Sequence, residues 1–197
     1  MQSDMTTGQR DTRLHQDWML LALGEAKQAL DDGEAPIGCV LLDGSGAVLG
    51  RGHNTMRRTG IVTAHAEINA FVAAAERVVP GTPMVMVSTL EPCVMCTGAA
   101  MQAGVTTIVF GLRAPADSGT ARVHPPDSPN TTAPVILGEV GADESRALFY
   151  RWLELHQGDE SRDEQRQFIE QLLALTQDGE MPRPVDDASK HENGKVT

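Results

Sequence analysis

The sequence predicts a single α/β domain in which a layer of helices covers each face of a β-sheet. At 197 residues the chain is long enough for one domain with a proper core, and a second full domain is not expected. With 41% hydrophobic and 22% charged residues, its composition is that of an ordinary globular protein. Between residues 14 and 110, segments of strand character alternate with segments of helical period, which is the pattern of layered α/β folds.

The first part of the chain predicts a helix, a hairpin and a second helix. Apolar residues recur at helical spacing in the first segment, which an Asp-Asp-Gly sequence ends. Two short apolar runs flank an Asp-Gly-Ser-Gly turn and therefore form a β-hairpin. The predicted elements are a helix over 14–30, strands over 37–42 and 47–50, a polar loop over 53–60 and a helix over 64–78.

In the second part of the chain, predicted strands and helices alternate again up to residue 110, and an irregular segment follows. A Pro-Gly pair ends the preceding helix, and Pro92 stands where a new helix can begin, because its missing N–H is not needed there. Five prolines without any regular period predict a long irregular segment after residue 113. The predicted elements are a strand over 84–88, a helix over 94–103, a strand over 105–110, a loop over 114–134, an edge strand over 135–137, and helices over 143–155 and 165–175.

The C-terminal part differs in composition from the rest of the chain. Residues 158–197 contain ten acidic against five basic residues, and from Gln177 onward the sequence is polar and contains prolines. We therefore divide the chain into a main domain over residues 1–157 and an acidic extension over 158–197, which holds the last helix and a disordered tail.

Charge and cysteine content limit the partners and the compartment. Sixteen Lys and Arg against 27 Asp and Glu give a net charge of −11, which repels a polyanion and favours a small substrate over tRNA. The N-terminus lacks the apolar core of a signal peptide, and no stretch approaches the roughly 20 apolar residues that span a bilayer. Three cysteines, two of them close together, suit a reduced protein with a metal or redox site. We expect a cytoplasmic protein without a membrane partner.

Two short segments carry candidate chemistry. Residues 63–67 read Thr-Ala-His-Ala-Glu, and residues 91–96 read Glu-Pro-Cys-Val-Met-Cys. Cys93 and Cys96 are one helical turn apart, so both sulfurs can face the same point. If the proline before Cys93 opens a helix, both thiols lie near its positive end, which lowers thiolate pKa and favours metal binding. His65 lies at the predicted start of the preceding helix.

These residues together predict a catalytic zinc site. His65, Cys93 and Cys96 supply one imidazole and two thiolates, which leaves the fourth tetrahedral position of Zn²⁺ to water, as in catalytic zinc sites. The metal lowers the pKa of that water toward neutrality. Glu67, beside the metal but not bound to it, can move protons from water to a ring nitrogen and to leaving ammonia. The arrangement H-x-E…P-C-x-x-C is the signature of zinc-dependent hydrolytic deaminases.

On these motifs the sequence resembles the cytidine deaminase superfamily, in its branch of tRNA adenosine, cytosine and guanine deaminases. The resemblance extends from about residue 35 to residue 110, and more weakly as far as residue 152. Besides the two segments above, it is carried by Ala-Pro-Ile-Gly at 35–38 and by Gly-Arg-Gly-His-Asn at 50–54. It implies a three-layer α/β/α fold around a five-stranded mixed sheet, usually assembled as a homodimer.

The resemblance also implies three substrate contacts. Asn54 would hydrogen-bond an oxygen or nitrogen of the bound base, although an asparagine after a strand is also a common turn residue. The backbone N–H of Ala66 and the backbone carbonyl of Glu91 would hold the amidine group that reacts.

The sequence allows more than one interpretation of the substrate. The acidic composition favours deamination of a small nucleobase or nucleoside of the cytosine, guanine or adenine type. The sequence around Cys93 and the Ile-Val-Phe-Gly segment at 108–111 instead resemble tRNA adenosine deaminases, which make inosine in tRNA. Those enzymes usually carry Asp-Pro before the Thr-Ala-His-Ala-Glu motif, where this chain has Ile61 and Val62. A further alternative is a non-catalytic partner subunit that uses zinc for folding, which would leave Glu67 without a role.

Two further groups of residues allow two interpretations each. Arg57 and Arg58 either meet a phosphate of the substrate or are simply solvated on a polar loop. Phe149, Tyr150 and Trp152 either form an aromatic lid over the base or, in the case of Phe149 and Trp152, belong to a helix face packed on the core.

Overall fold

The computed structural model describes residues 7–79, 81–127, 131 and 133–177. The strands are β1 (Gly38–Asp43), β2 (Val48–His53), β3 (Met84–Leu90), β4 (Val105–Leu112) and β5 (Val135–Leu137). The helices are α1 (Thr7–Asp31), α2 (Met56–Thr59), α3 (Ala66–Ala74), α4 (Val94–Gln102), α5 (Ala142–Leu155) and α6 (Asp163–Gln177), with a 3₁₀ helix at Glu160–Arg162.

The five strands form one mixed sheet in the order β2-β1-β3-β4-β5. β1 pairs antiparallel with both β2 and β3, whereas β3, β4 and β5 run parallel. A parallel pair requires a crossover connection, and α4 provides it between β3 and β4. The predicted five-stranded mixed sheet and the α/β class are therefore confirmed.

Alternation along β1 separates two cores, one on each face of the sheet. Val40 and Leu42 face α1 and α5, whereas Cys39 and Leu41 face α3 and α4. The sheet thus lies between two helical layers, as predicted. The fully buried residues on the α1 face are Met19, Ala22, Leu23, Val40, Leu42, Val87 and Val109. Those on the opposite face are Cys39, Leu41, Ala66, Ala70, Ala74, Met84, Met86, Ala100, Val105, Ile108 and Phe110.

Two glycines of β2 allow α3 to lie directly on the sheet. A Cβ at Gly50 or Gly52 would overlap backbone atoms of Ala70, and one at Gly52 would also overlap the backbone of Ala66. Alanines at positions 66, 70 and 74 form the opposing face of the helix. This close approach sets the position of the first turn of α3, which carries the candidate site residues.

Several boundaries lie within two residues of the predicted ones, but α1 begins at Thr7 rather than at 14, β2 extends to His53 rather than to 50, and α3 ends at Ala74 rather than at 78. The helix expected from residue 64 begins at Ala66, because His65 adopts an extended conformation (φ −69°, ψ 156°) and caps it. The loop expected over 53–60 contains the one-turn helix α2. The buried Glu34 carboxylate holds α2 by accepting hydrogen bonds from the backbone N–H groups of Arg57 and Arg58, at 3.2 and 2.6 Å.

The C-terminal helix packs onto the main body of the molecule. Ile169, Leu172 and Leu173 of α6 are buried against Phe149 and Trp152 of α5. The predicted helix over 165–175 is confirmed and is slightly longer than expected. The predicted disordered tail lies outside the described residues, and the division at residue 157 stays a prediction. In the described part of the chain no helix is both long and apolar enough to cross a membrane.

Candidate metal centre and active-site cleft

The N-termini of α3 and α4 bring the three predicted metal ligands together. His65 caps α3 and Cys93 caps α4, both with extended backbone conformations, so their side chains project from the ends of the helices. The Nδ1 atom of His65 lies 3.7 Å from Sγ of Cys93 and 3.5 Å from Sγ of Cys96. All three ligand atoms lie within 4.8 Å of one another.

The donor set fits Zn²⁺. One imidazole nitrogen and two thiol sulfurs are the soft and borderline ligands that zinc prefers. No fourth His, Cys, Asp or Glu side chain joins this cluster among the residues that the structure describes. A tetrahedral ion held by His65, Cys93 and Cys96 therefore keeps one position for water or substrate. Cys39, the remaining cysteine, is buried in the core between the sheet and α3, where burial raises the pKa of its thiol.

Contacts within the cluster shift the pKa values of its two thiols in opposite directions. A hydrogen bond from the Cys96 thiol, supported by His65, lowers the pKa of Cys93 to about 4. The same hydrogen bond to Cys93, together with burial, raises the pKa of the Cys96 thiol. The hydrogen bond with Cys93 also raises the pKa of His65. Binding a dication must displace the proton of Cys96, so zinc uptake at this site releases protons.

Glu67 lies beside the three ligands in the first turn of α3 and is almost fully buried, at 3% exposure. Ser88 Oγ donates a hydrogen bond of 2.8 Å to its Oε1 atom, and Cys96 Sγ lies 3.3 Å from Oε2. Burial raises the pKa of the Glu67 carboxyl. A carboxyl that is shielded from water and adjacent to the metal cluster is suited to exchanging protons there.

The three predicted substrate-binding residues surround the same cleft. Asn54 directly follows β2 and is buried, and its backbone N–H donates to Ile37 O at 3.0 Å. Ala66 is the first residue of α3, so its N–H has no acceptor within the helix. Glu91 directly follows β3, and its N–H donates to Leu112 O at 2.8 Å. All three line one cavity together with His65, Cys93 and Glu67.

The side chain of Glu91 has a role that the sequence did not indicate. Its Oε2 atom accepts a hydrogen bond of 2.9 Å from the backbone N–H of Ala114, and its Oε1 atom accepts hydrogen bonds from the hydroxyls of Ser118 and Thr120. One buried carboxylate thus ties down the first part of the irregular segment after β4. That segment contributes Asp117 to the cleft, and burial raises the pKa of the Asp117 carboxyl.

The cleft has a volume of about 740 Å³, which is ample for a nucleobase or nucleoside. Residues 160–168, which we call the outer wall, line the cleft through residues 160–165 and Phe168. The outer wall consists of the 3₁₀ helix and the first turns of α6. Sequence reasoning missed both the outer wall and Ser88. A serine within the buried apolar run of β3 was the one available signal for Ser88.

The structure places the aromatic and arginine residues in different surroundings, and a phosphate contact of Arg57 stays a prediction. Phe149 and Trp152 are fully buried in the core between α5 and α6, so they form no lid over the cleft. Phe168 of the outer wall is the aromatic residue that lines the cleft. Arg57 also lines the cleft, whereas the Nε atom of Arg58 lies 3.6 Å from Asp32.

Several known proteins are similar to this chain in sequence. Over 98 residues the chain is 45% identical to the tRNA(Ile)-lysidine synthase of Deinococcus radiodurans. This match covers 48% of this chain and 16% of that protein. It is 34% identical over 110 residues to the tRNA-specific adenosine deaminase 2 of Xenopus laevis, covering 50% of this chain and 60% of that one. The chain therefore spans less than two thirds of the length of both relatives.

Solved structures share the fold. A structure from biochemical and structural studies of A-to-I editing by tRNA:A34 deaminases has a TM-score of 0.57 and 31% identity, and the match covers 67% of this chain and 98% of that one. The guanine deaminase of Nitrosomonas europaea has a TM-score of 0.58 at 21% identity, covering 70% and 83% of the two chains. The second match shows the fold alone.

A family model for the cytidine and deoxycytidylate deaminase zinc-binding region matches residues 12–112, just over half of the chain. The match contains the whole sheet apart from β5 and all of the His65, Cys93 and Cys96 cluster. The chain belongs to the cytidine and deoxycytidylate deaminase family.

Proposed function

We propose that this protein hydrolyses the exocyclic amine of a free nucleobase or nucleoside and releases ammonia. The observation that carries the proposal is the position of Glu67: a buried carboxyl at the bottom of a cleft, next to the three metal ligands but outside them. A zinc site with a purely structural role has no use for a carboxyl in that place. Water supplies the oxygen that becomes the carbonyl of the product, and the amine leaves as ammonia.

The residues around the metal divide the work of this reaction. Zn²⁺ held by His65, Cys93 and Cys96 would supply the Lewis acid that makes water a nucleophile at neutral pH. Glu67 takes one proton from the attacking water and delivers it to the ring nitrogen, and it then moves the second water proton, released as the carbonyl forms, to the leaving amine. Cys96 would lose its thiol proton on holding Zn²⁺, which would leave Oε2 as the oxygen of Glu67 that is free for this transfer. Ser88 keeps the carboxyl in place through Oε1.

We assign the substrate contacts to three groups along the same cleft. The Asn54 side-chain amide can both donate and accept, which suits the paired donor and acceptor edge of a base. The N–H of Ala66, at the positive end of α3, would donate a hydrogen bond to an acceptor atom of the amidine group that reacts. The carbonyl of Glu91 would accept a hydrogen bond from the amine that leaves.

The proposal is tested by measuring ammonia release from the zinc-loaded protein. The panel contains cytosine, guanine, adenine, their nucleosides and a tRNA anticodon stem-loop, with Glu67→Ala as control. Turnover of a small molecule that Glu67→Ala abolishes supports the proposal. Equal ammonia release from Glu67→Ala contradicts the mechanism. A silent panel, together with a zinc ion that exchanges no water, favours the non-catalytic partner subunit.

A second candidate function is deamination of adenosine in a tRNA anticodon. It is favoured by the 31% identity to the structure from the work on tRNA:A34 deaminases, of which the match covers 98%. This function requires binding of an anticodon stem-loop with an affinity that falls steeply with salt, because counterions are released from the phosphates. Absence of stem-loop binding at low salt removes this candidate.

We also infer a homodimer and a cytoplasmic location. The family usually assembles as a dimer, and the net charge of −11 keeps such an assembly in solution. Sedimentation equilibrium of the zinc-loaded protein tests the first inference, and a mass of one chain at micromolar concentration contradicts it.

A further inference from the structure

The outer wall of the cleft is acidic. Glu160 belongs to the 3₁₀ helix, and Asp163 and Glu164 form the first turn of α6; all three are exposed and line the cleft. Asp117 lines the cleft as well, from the segment that Glu91 holds. Four carboxyl groups therefore line the same cleft as Glu67, His65 and Cys93.

The cations of the cleft compensate this charge only in part. Arg162 is largely buried; its Nε atom lies 3.0 Å from Asp159 Oδ2, and its guanidinium also donates to the carbonyl of Gly33. The Nε atom of Arg166 lies 3.9 Å from Asp163. Arg57 is then the cation that faces the cleft without an acidic partner among the described residues.

The outer wall is anchored, so its charges keep their places. Arg162 connects the 3₁₀ helix to Gly33 at the end of α1. Behind the acidic turn, Ile169, Leu172 and Leu173 are buried in the core formed with α5. A segment held at both ends cannot withdraw from an incoming anion without losing this burial.

In the inner part of the cleft, the residue proposed to contact the base is polar but uncharged. Asn54 is 4% exposed and lines the cleft, and its side chain forms no hydrogen bond with any residue that the structure describes. A buried amide without a protein partner needs a partner from the ligand. It matches an uncharged heterocycle, which offers both donors and acceptors.

We propose that the outer wall selects against phosphate-bearing substrates, so that the cleft takes uncharged nucleobases or nucleosides in preference to nucleotides and tRNA. This inference rests on the proposed function, because it names the substrate class of the same site. Three carboxylates roughly 10 Å from a phosphate dianion repel it through water, and salt screens part of this repulsion. At low ionic strength we expect the three charges to change affinity for a monophosphate about tenfold.

The test compares binding of nucleosides and their 5′-monophosphates. Calorimetry with zinc-loaded protein in a Glu67→Gln background, which prevents turnover, gives both dissociation constants for cytidine, adenosine and guanosine and for their monophosphates. The wall variant combines Glu160→Gln, Asp163→Asn and Glu164→Gln. The control variant, Glu76→Gln with Glu144→Gln and Glu170→Gln, removes the same charge from exposed positions outside the cleft.

We expect the wall variant to bind the monophosphates about tenfold more tightly relative to the nucleosides at low salt, and less so at high salt. The control variant should leave this ratio within about twofold of the parent. An unchanged ratio in the wall variant, an equal change in the control, or failure of every nucleoside to bind overturns the inference. Ammonia release by the unmodified protein tests the proposed function separately, so a protein that deaminates nucleosides and shows an unchanged ratio loses only this inference.

Discussion

The two sides of the cleft differ in how they are built. The metal side consists of two helix N-termini with buried side chains: Cys96 is fully buried and Glu67 nearly so. The outer wall carries its acidic residues and Phe168 as exposed side chains on a 3₁₀ helix and the start of α6, and Arg162 and the apolar residues of α6 anchor it. Reactive groups need a shielded and rigid environment, whereas groups that select a substrate must remain accessible to solvent and ligand. The comparison indicates that reactivity and selectivity can be altered independently in this protein.

The largest effect should come from the metal side. Glu67→Gln removes the proton shuttle and should lower kcat by roughly 10²–10⁴-fold. Zinc content should stay at that of the parent, because Glu67 is outside the ligand cluster. Steady-state ammonia release measures kcat, and metal analysis of the same sample measures the zinc content. A loss of zinc in parallel with activity would mean that Glu67 belongs to the ligand set and that the two roles are not separable.

The next effect concerns the metal ligands. Cys96→Ala leaves two ligands and should weaken zinc binding by more than the roughly 10–100-fold typical of outer-shell changes. Cys39→Ala is the matched control, since Cys39 is also fully buried but lies in the core outside the cluster. Competition with a chelator dye gives both affinities. Equal zinc affinity of the Cys96 variant and the parent would contradict the assignment of the cluster.

A third change tests the side-chain contacts that hold the segment after β4 beside the cleft. Glu91→Ala leaves the N–H of Ala114 and the hydroxyls of Ser118 and Thr120 without their acceptor, and should cost about 1–3 kcal/mol of folding free energy. Amide exchange should accelerate in residues 114–120 first, since these lose their anchor. Denaturant unfolding and hydrogen exchange measure the two effects. Uniform exchange across the chain with unchanged stability would show that the carboxylate does not hold the segment.

The smallest effect should come from the aromatic residue of the outer wall. Phe168 is 37% exposed, so Phe168→Ala should raise KM severalfold through lost contact with the base, with little change in unfolding free energy. The contrasting variant is Phe149→Ala, whose fully buried ring should cost about 3–5 kcal/mol of stability. Kinetics and thermal unfolding of both variants give the contrast. Greater destabilisation by Phe168→Ala than by Phe149→Ala would mean that the outer wall is part of the core.

The fold could be predicted largely from local signals. Apolar periodicity located α1 and α5, and turn residues located the hairpin of β1 and β2, because these signals act within a few residues. The start of α3 was placed two residues early, since a sequence pattern does not show that His65 serves as an extended cap. The one-turn helix α2 was missed because it depends on Glu34, more than twenty residues earlier in the chain.

The candidate site likewise contains residues that local motifs identify and residues that only the packed structure identifies. His65, Glu67, Cys93 and Cys96 stand in two short motifs whose spacing already matches a zinc site. Ser88 and the side chain of Glu91 act through contacts with residues more than twenty positions away. No local pattern marks such contacts, because they arise only when β3 and the helices pack together.

The sequence by itself predicted the α/β class and, in two short motifs, the candidate metal ligands and proton shuttle, because spacing within each motif limits its members to one or two helical turns of each other. Only the tertiary structure decided what surrounds them. It showed Phe149 and Trp152 in the core rather than over the cleft, and it placed Phe168 and the acidic residues of the outer wall along the same cleft as His65 and Glu67. The reason is physical: α6 is about a hundred residues from His65 in the chain, and burial of its apolar face brings the two together.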